Sequence, residues 1–144
     1  MAISCLTYAT VATRPDLAAA VATLSKYMSR PGKDHWQAVK RVFRYIKGTM
    51  EYGLLFTANG KDSGLCGFAD ANWGGAIEAR RSTSWHVFQI QNSTISWCSK
   101  RETSVSRSTT EAEYIALSSA SQECIRLRRL LNDIELLKPV PTAI

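Results

Sequence analysis

Three carboxylates stand in sequence contexts that could support chemistry. Asp70 ends the apolar run 65–70, where a strand would present its side chain beside a sheet. The alternative for Asp70 is an ordinary turn-forming residue. Glu111 and Glu113 follow Ser108 in a segment typical of the start of a helix. Two residues on a helix correspond to about 200° of rotation, so only one of these two glutamates can face a sheet.

The phase of the helix separates the two glutamates. Glu111 is in phase with a polar face, whereas Glu113 is predicted to be in phase with the apolar stripe that packs on the sheet. A carboxylate in line with a core is costly unless a partner, such as a divalent cation, compensates it. Either glutamate could instead close a capping box, and we assign that role to Glu111 and the functional role to Glu113. The stripe comprises Ala116, Leu117, Ala120, Cys124, Leu127 and Leu131.

Convergence of Asp70 and Glu113 across a sheet–helix interface would create a site for Mg²⁺, which prefers oxygen ligands. A pair of such ions activates water and stabilises the leaving oxygen in phosphodiester cleavage. Other common chemistries lack their motifs in this sequence. It contains neither a GxxxxGK[ST] phosphate loop nor a GxSxG nucleophile turn.

Two helices are predicted in the first third of the chain. The first begins near Arg14-Pro15-Asp16, since proline and an acid suit a first turn, and it ends at Arg30-Pro31-Gly32. The second runs from about Asp34, its predicted N-cap, to Lys47, with Gly48 as the stop. Its predicted apolar stripe comprises Trp36, Val39, Val42, Phe43 and Ile46.

The remainder of the sequence changes to strand-like runs followed by one long helix. A strand is predicted at 53–57 and a loop at 58–64. Three further strands are predicted at 65–70, 85–90 and 94–98, with a hairpin turn at 91–93. A helix is predicted from about 109 to 134. This order predicts an α+β fold, a three-stranded antiparallel meander with one long helix packed on one face, preceded by a small two-helix segment.

Charge and cysteine usage narrow the partners and the compartment. The net charge of +6, from 18 basic and 12 acidic residues, favours an anionic partner such as nucleic acid. Solvated basic faces are the alternative. The four cysteines show no metal-binding spacing, which favours buried free thiols in a reducing compartment. Neither a membrane span nor a secretory leader is recognisable. The candidate nucleic-acid contacts are Lys40, Arg44, Lys100, Arg101 and Arg107.

Several motifs together resemble one family. Segments 12–21, 35–36 and 39–49 resemble the C-terminal end of copia-type retrotransposon reverse transcriptases. The later motifs resemble the RNase H domain that follows it in the Pol polyprotein, and they occur in the family's order and spacing. These later motifs are Gly67–Gly75, Arg81–Ser84, Ile95–Lys100, Ser108–Leu117 and Arg126–Leu131.

The resemblance implies an RNase H-like fold with a catalytic Asp70 on the first strand and a catalytic Glu113 on the first helix. Both would also be ligands of Mg²⁺ or Mn²⁺. The implied activity is hydrolysis of the RNA strand of RNA–DNA hybrids, with the rest of the Pol polyprotein as partner and the cytoplasm as location. The implied organisation is a reverse transcriptase segment at 1–57, a linker at 58–64, a partial RNase H-like domain at 65–136 and a tail at 137–144.

Departures from the family's pattern weaken the catalytic prediction. Asn72 and Ala76 stand where the family has acids, and Trp85-His86 stands for a glycine–tyrosine pair, which could crowd the second strand. The family's next strand, with a third catalytic aspartate, is absent from these 144 residues. We therefore expect weak metal binding, little or no cleavage, and an exposed sheet edge and helix face. A non-catalytic nucleic-acid-binding remnant and a decayed fragment are the alternatives.

Overall fold

Two compact units make up the chain, Met1–Leu54 and Leu55–Ile144. The computed structural model describes residues 2–56, 64–73, 81–136 and 140–144. The first unit is helical, and the second combines a three-stranded sheet with a long helix. The α+β class predicted from the sequence is confirmed for the second unit. Among the described helices, none has the length and apolar character needed to cross a membrane.

The first unit contains one helix more than the sequence predicted. It consists of α1 (Ala2–Ala12), a 3₁₀ turn (Pro15–Leu17), α2 (Ala18–Ser25) and α3 (Lys33–Gly48). Helix α1 carries neither an acid in its first turn nor a base in its last turn, so it lacks terminal signals. Burial against α2 stabilises it instead. The core of the unit comprises Leu6, Leu17, Val21, Leu24 and Val39.

Helix α3 confirms the predicted apolar stripe at Val39, Val42 and Ile46 but not at its two aromatic positions. Trp36 is 52% exposed and Phe43 is 42% exposed, so neither belongs to the core. The buried line runs through Val39, with Ala38, Val42 and Ile46 partly buried against it. The predicted N-cap was also wrong, because Gly32 occupies that position rather than Asp34. Nδ1 of His35 accepts the N–H of Gly32 at 2.9 Å and satisfies this first turn.

A buried arginine ties the end of α3 to the 3₁₀ turn. The guanidinium of Arg14 donates to both carboxylate oxygens of Asp16, to the backbone oxygen of Thr49 at 3.0 Å and to its hydroxyl at 2.8 Å. The hydrogen bonds from Arg14 lower the pKa of Asp16. Because loss of these bonds would leave the buried Arg14 charge uncompensated, they fix the connection between the helices.

The predicted strand at 53–57 was wrong in its described part. Residues 53–56 have no regular secondary structure. Thr57 and the predicted linker positions 58–63 lie outside the described residues. The tail prediction at 137–144 can be compared only from Val140 onward.

The sheet of the second unit confirms the predicted meander, with slightly longer strands. Strands β1 (Cys66–Asn72), β2 (Thr83–Ile90) and β3 (Ser93–Arg101) are antiparallel in the order β1-β2-β3. Gln91 and Asn92 connect β2 to β3 with φ values of 51° and 62°. Two consecutive positive φ angles are those of a tight turn that matches the twist of its strands.

Helix α4 (Thr109–Asp133) covers one face of this sheet. Phe88 of β2 is completely buried beneath it, together with Leu65. Small residues near the start of α4 let the helix approach the sheet closely, and larger ones fill the space farther along. The buried positions of α4 are Ala112, Ala116, Ala120, Cys124, Leu127 and Leu131.

The end of the chain occupies part of the edge of β1. Ala143 forms a parallel bridge with Cys66, and its backbone oxygen accepts the N–H of Gly67 at 2.8 Å. Arg128 of α4 donates to the backbone oxygen of Val140 at 2.9 Å and to Thr142 Oγ1 at 2.8 Å. The expected exposed edge was therefore wrong over this stretch, because the tail pairs with it.

Substitution of Gly67 by alanine should destabilise the second unit. A Cβ at this position would lie 2.5 Å from Cε1 of the buried Phe88 ring. We expect Gly67→Ala to lower the free energy of unfolding by about 1–3 kcal/mol, measured by urea denaturation. Gly53→Ala is the matched control, since a Cβ there meets nothing within 4 Å. Equal stability of the two variants would contradict this packing.

Candidate active site

Asp70 lies near the end of β1 with an exposed side chain. Its Oδ1 accepts the N–H of Ala71 at 2.8 Å. The preceding residue, Ala69, packs against the core beneath α4. Because neighbouring strand residues alternate between faces, Asp70 belongs to the sheet face away from α4. It pairs there with Trp85 of β2.

The replacement of a glycine by Trp85 was expected to crowd the second strand, but it does not. Strand β2 runs without interruption from Thr83 to Ile90, and the Trp85 side chain is exposed. The adjacent His86 turns to the opposite face and is buried. The departure therefore places an aromatic ring across from Asp70. The sequence shows that Trp85 replaces a glycine of the family's pattern. It does not show that Trp85 pairs with Asp70, because that depends on the register between β1 and β2.

Glu113 is exposed and does not lie on the buried line of α4. The predicted stripe is confirmed at its other positions, which are Ala116, Ala120, Cys124, Leu127 and Leu131. It was wrong at Leu117, which is exposed, and at Glu113, because the neighbouring Ala112 takes the buried position. One residue on a helix corresponds to about 100° of rotation, which moves Glu113 to the side of the helix. The argument that its carboxylate lies in line with the core was therefore wrong. Its assignment as a site residue stays a prediction.

Glu111 closes the start of α4, as predicted. Ser108 is the N-cap, and its Oγ accepts the N–H of Glu111 at 3.1 Å. Oε2 of Glu111 accepts the N–H of Arg107 at 2.6 Å. Trp73 Nε1 donates to the backbone oxygen of Ser106 at 3.0 Å, which holds the segment before the helix. These bonds fix the first turn that carries Glu113.

An open cleft connects Glu113 with strand β1. It has a volume of about 590 Å³, and its lining includes Glu113, Thr110 and Ala69. Ala69 is the strand neighbour of Asp70, but Asp70 itself does not line the cleft. Convergence of the carboxylates stays a prediction, because Glu113 must reach past β1 to the face of Asp70.

The carboxylates present supply only part of a divalent-ion site. Within residues 2–56, 64–73, 81–136 and 140–144, no group of three or more His, Cys, Asp or Glu side chains could hold a metal. Asp70 and Glu113 offer the hard oxygen donors that Mg²⁺ prefers. Asn72, which replaces an acid of the family's pattern, is also exposed on β1. A complete site needs further ligands from outside the described residues.

The five candidate nucleic-acid contacts divide between the two units. Lys40 and Arg44 are exposed on α3, and Lys100 and Arg107 are exposed in the second unit. Arg101 is half-buried, and its Nε is buried without a hydrogen-bond partner among the described residues. Lys100 and Arg101 are adjacent on β3 and point to opposite faces. Within the second unit, Lys100 and Arg101 therefore do not share one face of the sheet.

Burial and hydrogen bonding shift the pKa values of groups at the interface between the sheet and α4. Burial lowers the pKa of His86, although the carboxylate of Glu123 partly opposes the shift. Burial raises the pKa of the Cys98 thiol. Hydrogen bonds from Arg126 and then from Ser96 lower the pKa of Glu123. The four cysteines are free, as predicted, but only Cys124 is buried; Cys66 and Cys98 are partly buried and Cys5 is exposed.

Comparison with known proteins identifies relatives over most of the chain. Secreted RxLR effector protein 161 of Plasmopara viticola is 49% identical over 126 residues, covering 88% of each chain. The retrovirus-related Pol polyprotein from transposon TNT 1-94 of Nicotiana tabacum is 44% identical over 135 residues, which are 94% of this chain but 10% of that protein. The Pol polyprotein from transposon RE2 of Arabidopsis thaliana is 41% identical over 122 residues, or 85% and 8% respectively.

These matches define the class of protein. The chain belongs to the copia-type retrotransposon Pol polyproteins and corresponds to a segment of about a tenth of their length. The family resemblance seen in the sequence motifs is thereby confirmed. No protein-family model and no solved structure matches the chain.

The buried His86 should make stability depend on pH. A folded-state pKa below the usual value of about 6.5 means that the unfolded chain binds more protons as the pH falls. The contribution of neutral His86 to the free energy of unfolding is therefore fully present above about pH 6.5 and is lost as the pH falls below that value. Urea denaturation between pH 7.5 and about pH 5 should show this loss, and His86→Gln should flatten it. An unchanged pH dependence in the variant would rule out His86 as its source.

Proposed function

We propose that this chain is the segment of a Pol polyprotein that contributes Asp70 and Glu113 to an RNase H-type site. The substrate is the RNA strand of an RNA–DNA hybrid, and the fold is RNase H-like. The observation that carries the proposal is the cleft shared by Glu113 and the strand neighbour of Asp70. The membership of the chain in the Pol family supports it.

The second unit has the features that such a site requires of this segment. Both carboxylates are exposed, so a phosphodiester backbone can approach them. The N–H of Ala71 orients the Asp70 carboxylate, and the capped first turn of α4 orients the backbone at Glu113. A divalent ion held by these carboxylates would activate a water for attack on the phosphodiester and stabilise the leaving oxygen. The chain's own contribution is to position two negatively charged ligands.

Efficient cleavage depends on residues beyond the two carboxylates. Two metal ions need several carboxylates to fix them, and the described residues hold no larger acidic group. We therefore propose that the remaining ligands come from other parts of the Pol polyprotein, which are the implied partner. Because the chain alone lacks these further ligands, we expect it to cleave slowly or undetectably.

Nucleic-acid binding without cleavage is the second candidate function. The exposed Lys40 and Arg44 on α3 favour it, because basic side chains neutralise phosphates without any metal. This function requires neither the missing ligands nor convergence of Asp70 with Glu113. It describes what the chain does when the rest of the polyprotein is absent.

Cleavage of an end-labelled RNA–DNA hybrid in Mg²⁺ and in Mn²⁺ tests the catalytic proposal. Two proteins are compared: the chain alone, and an extended protein in which this chain replaces the matched 135 residues of the full-length tobacco Pol polyprotein. We expect the extended protein to cut the hybrid and the chain alone to cut little. Asp70→Asn and Glu113→Gln in the extended protein should each reduce the rate by about 100-fold or more, since each removes a charged ligand.

Glu111→Gln is the matched control for these variants. It lies on the same helical turn, but its role is to accept a hydrogen bond at the cap, which glutamine can also do. Its rate should stay close to that of the unsubstituted protein. Cleavage by an extended protein that tolerates Asp70→Asn and Glu113→Gln would disprove the assignment. Efficient cleavage by the chain alone would disprove the need for further ligands.

A further inference from the structure

The positive charge of the chain is concentrated in its first unit. Residues 1–54 hold eight basic and three acidic residues, a net charge of +5. Residues 55–144 hold ten basic and nine acidic residues, a net charge of +1. An attraction for polyanions therefore belongs to the helical unit, whereas the candidate carboxylates belong to the other unit.

Helix α3 displays much of this charge on one stripe. Trp36, Lys40, Phe43 and Lys47 follow one another at intervals of four, three and four residues. At 100° per residue these four positions lie within about 60° of one another on the helix. All four side chains are exposed. Lys33 and Arg44 flank the stripe and are exposed as well, so the stripe alternates aromatic and basic side chains.

The exposed aromatic rings are not explained by the core of the unit. On α3 that core uses Val39, which lies about 60° from Trp36 around the helix, and it extends through Val42 and Ile46, which lie farther from Trp36. About half of the Trp36 side chain and 42% of Phe43 remain exposed beside it. The ammonium of Lys40 lies 5.8 Å from the centre of the Trp36 ring, so the ring and the charge share one surface. Trp36 and Phe43 are seven residues apart, which places them about 10 Å apart along the helix. A ligand with flat apolar groups on a negatively charged backbone matches this surface.

We propose that this stripe of α3 binds single-stranded nucleic acid. Trp36 and Phe43 stack on unpaired bases, while the basic side chains of the stripe contact phosphates. Stacking is possible with every base, so the binding has little sequence preference. A duplex keeps its bases stacked on one another and offers the rings no flat surface, which favours the single strand. The proposal does not depend on cleavage, on metal or on Asp70 and Glu113.

Fluorescence anisotropy of labelled 12-nucleotide single-stranded RNA and DNA tests this proposal, with the full chain in EDTA. Trp36→Ala and Phe43→Ala should each weaken binding at least about fivefold, as expected for the loss of one stacked base. Trp36→Phe retains a flat ring and should recover most of the affinity. Circular dichroism shows whether each variant keeps its helical content.

The salt dependence of binding tests the basic residues separately. Lys40→Gln and Lys47→Gln should each reduce the slope of log K against log salt concentration by about 0.7, the value per phosphate contact for single strands. These surface substitutions leave the core of the unit intact. They keep the proposal testable if Trp36→Ala, which also borders an apolar cavity beside Val39, fails to fold.

Matched controls come from the same unit. Tyr8 is 77% exposed on α1, and Lys26 is exposed after α2, so neither lies on the stripe. Tyr8→Ala and Lys26→Gln should bind like the unsubstituted chain. Equal losses in the control and stripe variants, or equally tight binding of a blunt duplex of the same sequence, would overturn the proposal. Because Asp70→Asn should not affect this binding, failure of the cleavage proposal is distinguishable from failure of this one.

Discussion

Close packing of α4 on the sheet is the constraint on which the second unit depends. The Phe88 ring is completely buried and lies against Gly67, where a Cβ would collide with it. Above the sheet, α4 presents alanines at positions 112, 116 and 120, so its backbone comes close. Moving the helix by one residue would put larger or charged side chains into this interface. The packing therefore determines which side chains of α4 are left at the surface.

The position of both candidate carboxylates follows from this packing. Because Ala112 takes the buried place, Glu113 points to the side of α4 and lines the cleft with Ala69. Because Ala69 faces α4, Asp70 faces away from it and pairs with Trp85. Glu113 thus lines a cleft with Ala69, whereas Asp70 lies on the opposite face of the sheet. Their joint use in catalysis depends on the reach of Glu113 and on further ligands.

In the first unit, too, packing of the core determines which side chains are exposed. Arg14 and Asp16 close the turn between the helices, and Val39 anchors α3 to the core. That anchoring turns Trp36 and Phe43 outward, beside lysines. The chain therefore keeps an aromatic and basic surface in one unit and its candidate carboxylates in the other. Each unit has its own candidate role with nucleic acid, and each role can be tested without the other.

Local patterns in the sequence determined much of this protein. The motifs indicated the family, strand-like apolar runs predicted the three strands, and Ser108 with Glu111 predicted the start of α4. These features depend on neighbours within a few residues, which propensity and capping rules describe. The turn at Gln91 and Asn92 was predictable for the same reason. The free state of the cysteines also followed from their spacing.

Only the tertiary structure decided which residues at the margin of each apolar stripe are buried. Trp36 and Phe43 fitted the stripe of α3 as well as Val39 did, and Glu113 fitted the stripe of α4, but packing left all three at the surface. Helix α1 has no terminal signals and forms through burial of Leu6. The pairing of Ala143 with Cys66 joins residues far apart in the chain. Such choices depend on contacts between distant segments, and a pattern read along one segment contains no information about them.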